Sequence, residues 1–179
     1  MCIGTSATAK RIVITGPRGS GKTTRAAELV TEYRGAGQQV AGVLSLHDHP
    51  DDPRLEAYRL LLLSTGETHV LARRSQRPTP PSTRFSFSET AFEAARRELS
   101  AAAADLLLVD ECGPLELQGG GLWHSVEPVW AAFPGDVAVV IRERLLDALV
   151  AALEAARRSG PPYEIIRIAP RESPRPHPW

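Results

Sequence analysis

The sequence contains few cysteines, very little lysine and no excess of charge of either sign. Its two cysteines, Cys2 and Cys112, cannot build a disulfide framework or a cysteine-based zinc site, so we expect a reducing, cytoplasmic setting. The formal net charge of +0 at pH 7 argues against a broad positive surface for nucleic acid or an anionic membrane. Arginine supplies the basic side chains except at Lys10 and Lys22, which makes the position of Lys22 noticeable.

The sequence also lacks a long hydrophobic run. Its apolar stretches are far shorter than the roughly 20 residues that span a bilayer, and no signal peptide is visible at the start. The partners we expect therefore include neither nucleic acid nor membrane, and we expect a monomer. With 179 residues, of which 42% are apolar, the chain suits one globular domain over residues 11–168. Residues 1–10 are predicted to be a disordered start, and residues 169–179 a proline-rich tail.

Short β-branched runs alternate with amphipathic segments along the chain. We predict strands at 11–15, 39–46, 105–110, 137–141 and 163–168. Helices are predicted at 21–33, after an N-cap at Ser88, at 123–133 and at 143–158. A β-hairpin is expected over 57–73, with loops at 47–53 and 73–84. This order predicts an α/β fold with a mostly parallel sheet, helices on both faces and an inserted hairpin.

A glycine-rich segment, "GPRGSGKTT", follows the first predicted strand and opens the first helix. It fits the phosphate-binding loop G-x-x-x-x-G-K-[ST], in which glycines let backbone N–H groups approach phosphates. Lys22 is expected to reach the β- and γ-phosphates, and the Thr23 hydroxyl to bind Mg²⁺. The predicted nucleotide-binding residues are Gly16, Pro17, Arg18, Gly19, Ser20, Gly21, Lys22, Thr23 and Thr24.

Two adjacent acids, Asp110 and Glu111, end the apolar strand "LLLV". A phosphate loop needs a second carboxylate for Mg²⁺ at the end of a neighbouring strand, and Asp110 suits that role. Glu111 is then predicted to orient and activate the attacking water, although a solvated residue at a strand end is the alternative. The long separation between Lys22 and Asp110 leaves room for an additional strand between the two motif strands in the sheet.

Other polar residues carry weaker signals. Arg142 follows the strand "VAVVI" and is a candidate for stabilising the γ-phosphate, against the alternative of a surface arginine at a helix start. A histidine- and aspartate-rich segment resembles a metal cluster in composition, but its prolines favour a polar loop. Its candidate ligands are His47, His49, Asp51 and Asp52.

The two motifs together resemble the THEP-type nucleoside-triphosphatases, also called cancer-related NTPases. That family has a segment of the form apolar-D-E-x-G-x-x-E-L, which Asp110, Glu111, Gly113, Glu116 and Leu117 match. The stretch "STGETHVLAR" is also similar to the family's region between the motifs. The resemblance implies a P-loop, RecA-like sheet with an additional strand and a catalytic glutamate. It also implies slow hydrolysis of several nucleoside triphosphates to diphosphate and phosphate.

Three functions fit these observations. The leading prediction is Mg²⁺-dependent hydrolysis of nucleoside triphosphates, with Glu111, Lys22 and Arg142 as catalytic residues and Thr23 and Asp110 as metal ligands. A small-molecule or nucleoside kinase would use the same phosphate loop on another acceptor, but the adjacent Glu111 argues against it. A nucleotide-dependent switch or partner-binding module would use slow hydrolysis as a timer. No protein partner can be named from the sequence.

Overall fold

The structure is a computed structural model that describes residues 9–48, 57–74, 85–101, 103–112, 120–156 and 162–170. These residues form eight strands and four α-helices, in which parallel strands alternate with helices outside the inserted hairpin. The strands are β1 (Arg11–Gly16), β2 (Val40–Asp48), β3 (Ala57–Leu62), β4 (Thr68–Arg74), β5 (Phe85–Phe87), β6 (Leu106–Cys112), β7 (Asp136–Arg142) and β8 (Tyr163–Arg167). The helices are α1 (Lys22–Gly35), α2 (Glu89–Ala101), α3 (Trp123–Ala132) and α4 (Leu146–Ala156), the last preceded by a 3₁₀ turn, Glu143–Leu145. Among the described residues, no helix is both long and apolar enough to span a membrane.

All eight strands belong to one mixed sheet with the order β5-β4-β3-β2-β6-β7-β1-β8. The five strands from β2 to β8 in this order run parallel, and β3, β4 and β5 are added antiparallel at one side. β7 lies between β1 and β6, so the additional strand predicted between the two motif strands is present. The predicted α/β, RecA-like sheet with an inserted hairpin is confirmed.

Helices cover the sheet on both faces, which explains why the central strands are apolar throughout. On one face α1 packs through Ala26, Leu29 and Val30 against alternate residues of the parallel strands. On the other face α2, α3 and α4 bury their apolar sides, including the fully buried Trp130. Because both faces are covered, β1, β6 and β7 bury nearly all of their side chains that the structure describes, as parallel strands usually do.

The hairpin region is more extensive than the sequence indicated. β3 and β4 pair antiparallel as predicted, and Ser88 caps α2 by accepting the N–H of Ala91 at its Oγ (3.3 Å). The loop predicted over 73–84 was wrong at its start, because β4 continues through Arg74 and pairs with β5. β5 was not foreseen, since three residues are too few for alternation to be read from the sequence.

The loop predicted over 47–53 was also wrong at its first two residues. β2 continues through His47 and Asp48, whose register partners on β3 are Tyr58 and Ala57. The His47 ring stacks on Tyr58 with centroids 4.5 Å apart, so cross-strand packing overrides a polar composition typical of loops. Residues 49–53 lie outside the described part of the chain.

Candidate functional site

The glycine-rich segment connects the carboxyl end of β1 to the first turn of α1. Gly21 adopts a left-handed conformation (φ 98°, ψ 23°) immediately before Lys22, a geometry that is strained for other residues. A Cβ atom on Gly16 would lie 2.5 Å from the carbonyl oxygen of Ile168 and 2.8 Å from Oγ of Ser20. Glycine is therefore required at both ends of the loop, by close packing at Gly16 and by backbone conformation at Gly21.

The start of α1 is suited to an anion. The helix has no acidic residue in its first turn and no side-chain cap at Gly21, so its first N–H groups and positive dipole end are not neutralised by the helix itself. Lys22, half-buried at this start, donates from Nζ to the carbonyl oxygen of Pro17 at 2.7 Å. The backbone N–H of Ser20 also points to that oxygen, at 3.3 Å. The Lys22 ammonium group and the Ser20 N–H thus both donate to one carbonyl oxygen of the loop, next to the start of α1.

Asp110 lies near the carboxyl end of β6, and only 3% of its surface is exposed to solvent. Its Oδ2 accepts a hydrogen bond from the backbone N–H of Ser45 on the neighbouring strand β2, at 3.1 Å. The β6–β7 register is irregular between Val109 and Cys112, so the strand departs from a regular ladder at the acidic pair. This carboxylate is held at the same edge of the sheet as the glycine-rich loop, because the ends of parallel strands meet there.

Arg142 is the last residue of β7 and the register partner of Gly16 on β1. It is half-buried and stands directly before the 3₁₀ turn that begins at Glu143. The structure therefore brings Arg142, the glycine-rich loop and Asp110 to one edge of the sheet. The side chain of Glu111 lies outside what the structure describes, although its backbone belongs to β6.

Known proteins resemble this chain in sequence and in fold. The family model described as NTPase matches residues 11–169. Nucleoside-triphosphatase THEP1 of Thermococcus kodakarensis is 31% identical over 143 residues, which are 75% of this chain and 78% of that protein. The chain belongs to the THEP-type NTPase family. Nucleoside-triphosphatase THEP1 of Pyrococcus abyssi is 32% identical over 113 residues, which span 60% of this chain but only 61% of that protein.

A solved structure supports the fold of this NTPase family member. The crystal structure of THEP1 from the hyperthermophile Aquifex aeolicus superimposes with a TM-score of 0.61 over 89% of this chain and 90% of that chain. The sequence identity in that comparison is 20%, so the similarity concerns the architecture. The resemblance inferred from the two motifs is thus confirmed at the level of family and fold.

Only the first two residues of the histidine- and aspartate-rich segment, His47 and Asp48, lie among the described residues. His47 is exposed on β2, whereas His49, Asp51 and Asp52 lie outside the described residues. Within the described ranges, no group of three or more histidine, cysteine, aspartate or glutamate side chains is placed to hold a metal ion.

The sequence did not point to Ser45. In "VAGVLSLHD" it is a single small polar residue between two leucines, and nothing in that pattern shows that its N–H would meet the Asp110 carboxylate. The structure also leaves three buried hydroxyl groups near this edge without a hydrogen-bond partner in the part of the chain it describes. They belong to Thr15, Ser20 and Ser45.

Proposed function

We propose that this NTPase family member hydrolyses nucleoside triphosphates to diphosphate and phosphate in a Mg²⁺-dependent reaction, with tolerance for several bases. One observation carries the proposal. A buried carboxylate, Asp110, lies at the same edge of the sheet as the uncapped helix start that carries Lys22. The relatives named nucleoside-triphosphatase support the same activity.

The glycine-rich loop is proposed to bind the triphosphate. Backbone N–H groups and the helix dipole favour the negative charge of the phosphates. Lys22 would exchange its hydrogen bond to the Pro17 carbonyl for the β- and γ-phosphate oxygens. The remaining loop residues, Pro17 to Ser20 and Thr24, would surround the phosphates without forming the metal site.

The oxygen donors at this edge fit Mg²⁺. That ion prefers oxygen ligands and is usually held by one or two protein groups together with substrate phosphates. Asp110 offers a buried carboxylate, and Thr23, the second residue of α1, offers a hydroxyl. When bound, the ion would neutralise charge on the phosphate oxygens. The lack of a larger acidic or histidine cluster among the described residues agrees with a site completed by the nucleotide.

Glu111 is the proposed base. It would accept a proton from water as the water oxygen bonds to the γ-phosphorus. The bond from the γ-phosphorus to the bridging oxygen breaks, and its electron pair stays on the departing diphosphate. Arg142, beside Gly16 at the end of β7, would stabilise the charge on the transferring phosphoryl group.

A phosphate-release assay with ATP, GTP, CTP and UTP, each in Mg²⁺ and in EDTA, tests the proposal. We expect release from more than one triphosphate in Mg²⁺ and little in EDTA. Adding nucleosides and small hydroxyl-bearing metabolites separates hydrolysis from phosphotransfer, since a kinase would phosphorylate an acceptor. Release from none of the four triphosphates would refute the proposed activity.

Glu111→Gln should separate binding from turnover. The amide keeps the size of the side chain but cannot accept the proton of water, so turnover should fall by roughly 10²–10⁴ while nucleotide affinity is unchanged. Glu93→Gln, on the exposed side of α2, is the matched control and should hydrolyse normally. Wild-type turnover in Glu111→Gln would remove this residue from the mechanism.

A further inference from the structure

Ser45 occupies the position on β2 that faces the end of β6. The parallel pairing of β2 with β6 runs from Val40 opposite Leu106 to Val43 opposite Val109. Two residues further along β2, the Ser45 N–H is bonded to the Asp110 side chain (3.1 Å). The regular pairing between β2 and β6 thus ends just before this point. Here the Asp110 carboxylate, and not a backbone carbonyl, accepts the hydrogen bond of the β2 backbone.

This bond fixes one oxygen of a buried carboxylate through the backbone. A hydrogen bond from an uncharged donor to a carboxylate is stronger than one between neutral groups, and a main-chain donor on a central strand has little freedom to move. Groups that hold a metal-binding side chain in this way set its orientation and its affinity for the ion. Ser45 therefore already acts on Asp110 through its main chain, whichever side chain it carries.

The Ser45 side chain adds a second observation. The residue is 5% exposed, and its Oγ has no hydrogen-bond partner within the described residues. Its cross-strand partner, Leu60, and the residue two positions earlier, Val43, are both buried in the apolar core. A buried hydroxyl without a partner is unfavourable and calls for a physical explanation, because an alanine at the same place would leave no polar group to satisfy.

We propose that Ser45 is a positioning residue of the nucleotide site whose hydroxyl gains its hydrogen bond only in the metal–nucleotide complex. Its backbone N–H orients Asp110, and its Oγ–H donates to an oxygen of that complex, either a metal-held water or a phosphate oxygen. The inference rests on the proposed function, because it needs nucleotide and Mg²⁺ at the Asp110 edge. It goes further by giving a role to a residue outside both sequence motifs.

The experiment compares Ser45→Ala, which removes only the hydroxyl, with Ser45→Thr, which keeps it. The control is Ser125→Ala, which makes the same chemical change at a half-buried position on α3. Binding of a fluorescently labelled, non-hydrolysable ATP analogue is titrated for each protein in Mg²⁺ and in EDTA. Denaturant unfolding without nucleotide is recorded in parallel, so that folding of every variant is checked independently of ligand.

In EDTA all four proteins should bind the analogue equally. Mg²⁺ should increase the affinity for the analogue in the wild type, in Ser45→Thr and in Ser125→Ala. In Ser45→Ala this gain in affinity should be roughly 10-fold smaller, as is usual when a group that supports a metal ligand is removed. Without nucleotide, the unfolding midpoint of Ser45→Ala should equal or exceed that of the wild type, since the change removes an unsatisfied hydroxyl. A purely structural serine would not produce this combination.

Either of two results would overturn this inference and leave the proposed hydrolysis intact. One is a full Mg²⁺ effect in Ser45→Ala while the wild type releases phosphate and responds to Mg²⁺. The other is a clear fall in the nucleotide-free midpoint of Ser45→Ala, which would mean that the hydroxyl already has a partner. If wild-type binding does not respond to Mg²⁺ at all, both this inference and the proposed metal dependence are refuted.

Discussion

At the scale of single residues, the guanidinium of Arg11 joins the start of β1 to the end of α3. Arg11 is 2% exposed and donates from Nε to the carbonyl oxygen of Trp130 at 2.7 Å. Its two terminal nitrogens donate to the carbonyl oxygens of Phe133 at 2.7 Å and Gly135 at 2.9 Å. The last carbonyls of a helix lack intrahelical donors, and a cation there also complements the helix dipole.

Arg11→Met should therefore destabilise the protein by about 3 kcal/mol, because it leaves buried carbonyl groups without their charged donor. The matched control is Arg25→Met on α1. The Arg25 side chain is 27% exposed, and its Glu32 partner, 2.7 Å away, is 56% exposed. An ion pair of that kind contributes about 0.5 kcal/mol. Urea unfolding of both variants measures the difference, and equal losses would contradict this role for Arg11.

Ionisation of Tyr33 should lower the stability of the folded protein at high pH. Burial, and then its hydrogen bond to the Asp136 carboxylate, raise the pKa of Tyr33 above its ordinary value of 10.0. The folded protein therefore keeps the phenol proton at pH values where the unfolded chain has lost it. This contribution to stability is complete below pH 10 and disappears as the pH rises through the raised pKa.

Tyr33→Phe should remove that dependence. The wild type should lose unfolding free energy more steeply above pH 10 than the variant does, so the stability difference between the two should shrink at high pH. Urea unfolding at a series of pH values from 8 upwards, as far as about pH 11, measures it. A constant difference across this range would show that the phenol proton does not contribute.

At the scale of elements, the buried carboxylate of Glu98 connects α2 to β2 and to the turn of the β3–β4 hairpin. Its Oε1 accepts the N–H groups of Gly42 at 3.0 Å and Ser64 at 2.9 Å, and its Oε2 accepts the Ser64 hydroxyl at 2.6 Å. The hairpin is thus tied to the parallel sheet by a polar group as well as by strand pairing. Through Gly42, Glu98 also ties β2, the strand that carries Ser45, to α2.

Glu98→Ala should leave two backbone donors without an acceptor and destabilise the protein by about 1–3 kcal/mol. Hydrogen exchange should become faster at the Gly42 and Ser64 amides than in the wild type, while exchange at the amides of β1 and β7 should change less. Glu93→Ala, an exposed glutamate on the same helix, should leave exchange unchanged. Equal protection of both amides in Glu98→Ala and the wild type would mean that the hairpin is held by its strand pairing alone.

The elements also show where sequence patterns were informative. β1, α1 and β6 were predictable, because each combines an apolar run with a motif that marks its end. β5 and the last residues of β2 were not, since they depend on partners that are distant in the chain. Arg74 pairs with Phe85, and His47 stacks on Tyr58. Pairing of this kind depends on tertiary context, which local composition does not contain.

At the scale of the whole molecule, the strand order decides which residues can form a site. With β7 between β1 and β6, the additional strand that the sequence predicted is the one that ends in Arg142, beside Gly16. The irregular register at Asp110 and its hydrogen bond to Ser45 could not be anticipated, because a backbone donor leaves no signature in the sequence. The meeting of the glycine-rich loop and Asp110 at one sheet edge was therefore predictable, and the backbone group that orients Asp110 was not.

The proposed hydrolysis requires water to attack the γ-phosphorus of a nucleoside triphosphate at this edge of the sheet. Turnover of ATP in ¹⁸O-labelled water with Mg²⁺, followed by mass spectrometry of the products, tests it most directly. Hydrolysis at the γ-phosphorus predicts one labelled oxygen in the inorganic phosphate and none in the diphosphate. Label in the diphosphate, or products in which the phosphoryl group has gone to another acceptor, would contradict the account.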